Sequence, residues 1–178
     1  GDMHATQLDF AEAQPATISG FVYQDLDNDG NRDPGEAGLS GVLVSITSIS
    51  TITGQVISLS ATTAADGSYS FNNLAPGVYR IAEVNQPTGF LDGKDTAGTV
   101  RGQRRGQSLT NDVLTDISLQ GNDQGVEYNF GEIPPSSLSG HVFEDVNDDG
   151  IRQTNEALLP GVRIDLVRPD GTLVESVT

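Results

Sequence analysis

An all-β sandwich is the fold this sequence of 178 residues predicts, and three observations lead there. Short runs rich in Val, Ile, Thr, Tyr and Phe alternate apolar with polar residues, the two-residue period of a half-buried strand. Turn pairs such as Asp66-Gly67 and Pro76-Gly77 separate these runs at short spacing. Two acidic, glycine-bearing stretches are flanked by strand-like rather than helical sequence.

Read in order, the elements are as follows. Thr17-Ile18-Ser19-Gly20-Phe21-Val22-Tyr23 opens a strand over 17–24, β-branched and aromatic with alternating character. Gly41-Val42-Leu43-Val44-Ser45-Ile46-Thr47 begins a second over 41–49. Further strands are predicted over 54–63, 68–73, 77–84, 113–119 and 125–130, on the same alternation. Tyr23, Tyr69, Phe71, Tyr79, Tyr128 and Phe130 recur on these strands and read as core. The segment from Pro87 to Asn111 is polar and glycine-rich, and its length marks a functional or mobile loop.

The first acidic stretch is Asp25-Leu26-Asp27-Asn28-Asp29-Gly30-Asn31-Arg32-Asp33-Pro34-Gly35-Glu36. Oxygen side chains stand at its positions 1, 3, 5, 9 and 12, with glycine at 6, the ligand spacing of an EF-hand calcium loop. Calcium is a hard ion that takes about six to eight oxygens at roughly 2.3–2.6 Å. Alternate side chains of a tight loop can supply them, with the carbonyl of Asn31 at position 7 and both oxygens of Glu36 at position 12. The pattern recurs from Asp145 to Glu156, with Asp145, Asn147, Asp149 and Glu156 as ligands and Ile151 giving its carbonyl. Acidic Asp/Asn/Gly stretches also form plain solvated turns, but two loops with this spacing favour calcium. No amphipathic helix flanks either loop, and Pro34-Gly35 opposes one, so a regulatory EF-hand switch is not expected.

Composition narrows the function. Net charge is −16, and nine of the 25 acids lie in the two loops. Such a chain repels nucleic acid and anionic membranes, so no nucleic-acid partner and no membrane insertion are expected. No apolar run approaches the roughly 20 residues of a membrane span. There is no cysteine, hence no disulfide and no thiolate metal site. Catalysis finds no foothold: His4 and His141 lack a nucleophile or metal partner nearby, and the acids crowd into loops instead of facing across a cleft.

The chain also repeats itself. Residues 19–42 and 139–162 align without gaps and share 12 identities in 24 positions, an offset of 120. The expected organisation is a tag remnant and tail over 1–15, a first repeat over 16–132, a proline-rich linker over 133–137, and a truncated second repeat over 138–178. The truncated repeat is expected to hold about three strands, one near 172–177, and to leave apolar faces uncovered.

Ser19-Gly20-Phe21-Val22-Tyr23 running into the calcium loop resembles the B-type repeats of serine-aspartate-repeat (Sdr) surface proteins. The likeness continues through Ala65-Asp66-Gly67-Ser68-Tyr69, Leu74-Ala75-Pro76-Gly77-Val78-Tyr79, Glu83-Val84-Asn85-Gln86-Pro87-Thr88-Gly89-Phe90 and Tyr128-Asn129-Phe130-Gly131-Glu132. The resemblance implies immunoglobulin-like sandwiches related to Cna protein B-type domains. It further implies calcium held by Asp25, Asp27, Asp29, Asn31, Asp33 and Glu36 and by the second loop, where Gln153 acts directly or through water. Some Cna B-type domains carry a Lys–Asn isopeptide staple, but the sole lysine here, Lys94, lies in the long loop and is misplaced for it.

The function expected is non-enzymatic: a calcium-stabilised stalk or spacer of a secreted or cell-surface bacterial protein, partnered by neighbouring repeats of the same polypeptide. The alternative is an adhesive or carbohydrate-binding module that meets a host protein or glycan through the 87–112 loop. Asp92, Asp95 and Asp112 read first as solvated loop acids and second as a further cation site. Arg101, Arg104 and Arg105 read first as solvated or self-paired charges and second as an anion contact.

Overall fold

The computed structural model describes residues 12–49 and 56–178. The expected tag remnant at Gly1-Asp2-Met3-His4 and the start of the strand expected at 54–63 lie outside the described residues. Among those described, every regular element is a strand. In chain order they are β1 (Ala16–Gln24), β2 (Leu43–Ile49), β3 (Val56–Thr62), β4 (Ser68–Leu74), β5 (Gly77–Glu83), β6 (Leu91–Asp92), β7 (Thr99–Val100), β8 (Gln103–Arg104), β9 (Gln107–Thr110), β10 (Val113–Leu119), β11 (Gln124–Val126), β12 (Phe130–Ile133), β13 (Ile164–Val167) and β14 (Leu173–Val177). The chain divides into two compact units between Pro135 and Ser136.

The first unit is a two-sheet sandwich. One sheet orders its strands β6-β12-β1-β11-β7-β8, with β4 also paired to β1, and the other orders them β3-β2-β5-β10-β9. Alternation decides which residues face inward: Ile18 and Val22 of β1, Val44 and Ile46 of β2, and Tyr69 and Phe71 of β4 are buried. Tyr79 and Ile81 of β5, Leu114 and Ile117 of β10, and Tyr128 and Phe130 complete one continuous core. Leu114 and Ile117 are three apart, yet both point inward. A register shift between them and a positive φ of 58° at Asp116 absorb the extra residue, as a β-bulge does.

The Asp66-Gly67 and Pro76-Gly77 turns do more than close hairpins. β4 lies in one sheet while β3 and β5 lie in the other, so both turns carry the chain across the core. Gly67 meets this demand with a φ of 79°.

Two expectations change. The strand expected at 125–130 is two strands, because Glu127 takes a φ of 59° and breaks it. β11 and β12 each pair with β1 in parallel, at Thr17–Ile18 and Val22–Gln24. Across the break, Phe21 N donates instead to Asn129 Oδ1 (2.9 Å) and Tyr128 N to Ser19 O (3.2 Å). The long loop from Pro87 to Asn111 also differs: it contains β6, β7, β8 and β9, which extend edges of both sheets. Polar, glycine-rich sequence hid these strands because each is only two to four residues long.

The second unit, taken by itself, contains the β13–β14 hairpin and an isolated bridge between Phe143 and Leu158. Its strand over 173–177 agrees with the one expected near 172–177, but only two strands form among the described residues. Leu138, Ile164, Leu166, Leu173 and Val177 remain exposed, the consequence of a strand pair without an opposing sheet.

Gly20 and Gly140 occupy the same repeat position and give a paired test. A Cβ on Gly20 would stand 1.7 Å from the carbonyl oxygen of Tyr128, whereas one on Gly140 meets nothing within 4 Å. Gly20→Ala is expected to cost at least about 2 kcal/mol through overpacking, read as a lowered urea midpoint. Gly140→Ala is expected to leave that midpoint in place, and equal effects would contradict the close approach of β1 to Tyr128.

Candidate metal centre

The first acidic loop leaves β1 at Asp25, the residue after the strand ends. Its entry is fixed by backbone bonds: Asp25 N donates to Glu132 O (2.8 Å), Gln24 N to Ala37 O (2.8 Å) and Leu39 N to Val22 O (2.8 Å). The loop is thus closed at its neck by the strand ladder. Asn28, with a φ of 55°, and Gly30, with a φ of 84°, reverse the chain within it.

Carboxylates organise the interior of this loop. Asp25 is fully buried, and its Oδ1 and Oδ2 accept from Asp29 N (3.1 Å) and Gly30 N (2.8 Å). Glu36, also buried, accepts from Leu26 N through Oε1 (2.8 Å) and from Asp33 N through Oε2 (2.8 Å). Asp29 Oδ1 accepts from Asn31 N (2.6 Å). Oxygens of Asp25, Asp27 and Asp29 converge within 4.8 Å of one another. Asp33 and Glu36 stand outside that group, with Glu36 bracing the loop from across its width.

The second loop folds the same way 120 residues later. Asp145 accepts from Asp149 N (3.2 Å) and Gly150 N (2.7 Å), and Glu156 from Val146 N (3.0 Å) and Gln153 N (3.0 Å). Asp148 and Gly150 take φ values of 56° and 74° at the positions of Asn28 and Gly30. Asn147 and Gln153 donate their side-chain amides to Asp149 Oδ2, at 2.9 and 2.7 Å. Ile151 N donates to Asp149 Oδ1 (2.7 Å). Sequence reasoning thus named side chains that cooperate within each loop, but only Asp25, Asp27 and Asp29 form a tight carboxylate group.

The donor set suits a hard cation. It consists of oxygens only, and a carboxylate oxygen that accepts one N–H retains a further lone pair. Asp25, Asp27, Asp29, Asp33, Glu36 and the Asn31 carbonyl would hold calcium in the first loop, and Asp145, Asn147, Asp149, Gln153, Glu156 and the Ile151 carbonyl in the second. The local field points the same way. Burial first, then the charges of Asp29, Glu36, Asp27 and Asp25, raise the Asp33 carboxyl above its ordinary range. The Asn31 hydrogen bonds hold Asp29 below its own. Tyr23, whose hydroxyl is buried without a partner, is raised by burial and then by Asp25 and Glu36.

Sequence reasoning missed Glu83 and Glu132, which join Asp112 in a second group of converging carboxylates. The reading of Asp95 and Asp112 as solvated loop acids is also corrected. Both are partly buried, because the 87–112 segment folds back onto the sheets. Burial, with neighbouring acids second, pushes Glu83 up to about 9. Burial likewise pushes Glu132 up to about 8 and Asp95 up to about 7. Alternation on β5 and β12 marks Glu83 and Glu132 as inward-facing acids, the signal that a strand-by-strand reading can find. Among the basic residues, Arg101 is self-paired: its Nε meets Asp123 Oδ1 at 2.6 Å.

Residues 16–132 match the SdrD B-like domain. The chain belongs to that family. Serine-aspartate repeat-containing protein F of Staphylococcus epidermidis is 30% identical over 165 residues, covering 90% of this chain and 9% of the relative. Serine-aspartate repeat-containing protein E of Staphylococcus aureus is 29% identical over 164 residues, covering 90% of this chain and 13% of the relative. The bone sialoprotein-binding protein of Staphylococcus aureus is 30% identical over 166 residues, covering 90% and 14%. The chain therefore spans about a tenth of the length of these curated relatives. Among solved structures, the shaft pilin SpaA from Lactobacillus rhamnosus GG is loosely similar, at 13% identity and a TM-score of 0.37 over 70% of this chain and 51% of that one. As an SdrD B-like domain the chain is non-enzymatic and belongs to an extracellular, cell-surface setting.

The loop hydrogen bonds give a test that needs no ion. In chelator-treated protein, Glu36→Ala strands Leu26 N and Asp33 N and is expected to lower stability by at least about 1 kcal/mol. Asp27→Ala, at an exposed position whose one recorded bond is a 3.3 Å acceptance from Asp29 N, is expected to stay within about 0.5 kcal/mol of the parent. Urea melts of the two variants check this ranking.

Proposed function

We propose that this SdrD B-like domain is a calcium-stiffened structural repeat, a stalk or spacer built from immunoglobulin-like sandwiches in a bacterial surface protein. The observation that carries the reading is the common architecture of the two loops, in which the same positions accept the same backbone N–H groups. Such a scaffold presents carboxylates with their loop already bent, so an ion adds attraction without having to order the chain. Calcium would neutralise the repulsion among Asp25, Asp27 and Asp29 and fix the neck between β1 and β2.

Rigidity and spacing are the mechanical outcome. Extracellular calcium fills even sites with a Kd of about 10⁻⁴ M. Neighbouring repeats of the same polypeptide are the partners this role implies, and a host protein or glycan is a further one. The adhesive alternative draws less support, since the 87–112 segment is built into both sheets and Arg101 is engaged by Asp123.

Thermal melts across a calcium titration test the proposal. Stability is expected to rise as RT ln(1 + [L]/Kd), about 1.4 kcal/mol per tenfold excess over Kd. Asp27→Ala is the diagnostic variant, because it is expected to remove the first loop's share of the rise while leaving the ion-free melt nearly unchanged. A melt that ignores calcium, in the parent chain, overturns the loop proposal.

A further inference from the structure

A second group of converging carboxylates lies in the first unit, on residues outside both loops. Glu83 ends β5 in one sheet, Glu132 lies in β12 in the other, and Asp112 stands in the turn between β9 and β10. Oxygens of these three carboxylates lie within 4.8 Å of one another. Glu83 is 6% exposed and Glu132 is 1% exposed.

Their hydrogen bonding is incomplete. Neither carboxylate oxygen of Glu83 has a partner, and Oε1 of Glu132 has none. Gln86 Nε2 donates to Glu132 Oε2, and Asp112 N donates to Asp95 Oδ2 (2.7 Å), which brings a fourth acid alongside. Both ion pairs found among the described residues, Arg101–Asp123 and Arg163–Asp165, lie elsewhere. Converging carboxylates with open lone pairs, two of them buried and none in an ion pair, either hold protons or face a positive partner, and a cation that fills the open oxygens displaces those protons. The donors are oxygens alone, and they come from two strands and a turn that the fold brings together. That is the chemistry of a hard divalent ion rather than of zinc or copper.

We propose that Glu83, Asp112 and Glu132 bind a divalent cation of the calcium type, which joins the two sheets of the sandwich from within. The site is distinct from the loop sites in its residues. It is linked to the first loop through the backbone, where Asp25 N donates to Glu132 O.

The test counts ions. In the full chain, Asp27→Ala, Asp29→Ala, Asn147→Ala and Asp149→Ala together disable both loops, and calcium is counted by equilibrium dialysis and native mass spectrometry. One calcium ion is expected to remain bound, and adding Glu83→Gln and Glu132→Gln is expected to release it. A folded loop-disabled chain that holds no calcium overturns the proposal, as does an ion that survives the glutamine substitutions. If the loop-disabled chain does not fold, Glu132→Gln in the parent chain decides: one ion fewer supports the site and an unchanged count refutes it. A parent chain that binds a single ion, kept after loop substitution and lost with Glu83→Gln, would refute the loop proposal while leaving this one standing.

Discussion

Strand β1 carries the first unit, and the parallel pairing of β1 with β11 and β12 is the constraint on which the rest hangs. It brings residues more than a hundred positions apart into one ladder, at Thr17–Gln124 and Val22–Phe130. Long-range parallel pairing has a high loop-closure cost, so it must be secured by side chains as well as by backbone. Asn129 supplies the missing acceptor for Phe21 N, Tyr69 donates its hydroxyl to Tyr128 O (2.7 Å), and Gly20 leaves room for that carbonyl. The last rung, Asp25 N to Glu132 O, hands the strand over to the acidic loop.

From that rung the electrostatics follow. Asp25 and Glu36 are buried carboxylates tolerated because backbone N–H groups point at them and satisfy their oxygens. Asp27 and Asp29 face water and add charge without such compensation beyond the turn itself. The loop is therefore bent by its buried acids and charged by its exposed ones; its repeat at 145–156 keeps the same hydrogen bonds, with Glu156 buried and Asp149 exposed but Asp145 only half-buried. A Cβ on Gly131 would meet Asp25 Oδ2 at 3.1 Å and the Lys94 carbonyl oxygen at 2.7 Å, so β12 and the 87–112 segment crowd the loop's buried side.

Much of this was legible in the residues. Alternation located the five long strands after β1 and the loop spacing located the acids, because both signals are local and periodic. The 120-residue offset showed that the loop had been built twice. What the sequence hid was non-local. The two-residue strands β6, β7 and β8 exist because neighbouring strands offer them partners, not because their own residues favour extension. Glu127 gave no sign that it would adopt a positive φ and split a strand. Glu83 and Glu132 look like ordinary strand residues until the sandwich closes and their carboxylates meet Asp112.

Amide hydrogen exchange, followed residue by residue with and without calcium, tests the central claim most directly. The account predicts that calcium slows exchange at Leu26, Asp29, Gly30, Asn31 and Asp33, whose N–H groups bond to Asp25, Asp27, Asp29 or Glu36, and at their counterparts in the second loop. Exchange at those amides that is the same in both conditions, in a chain whose core strands remain protected, would contradict it.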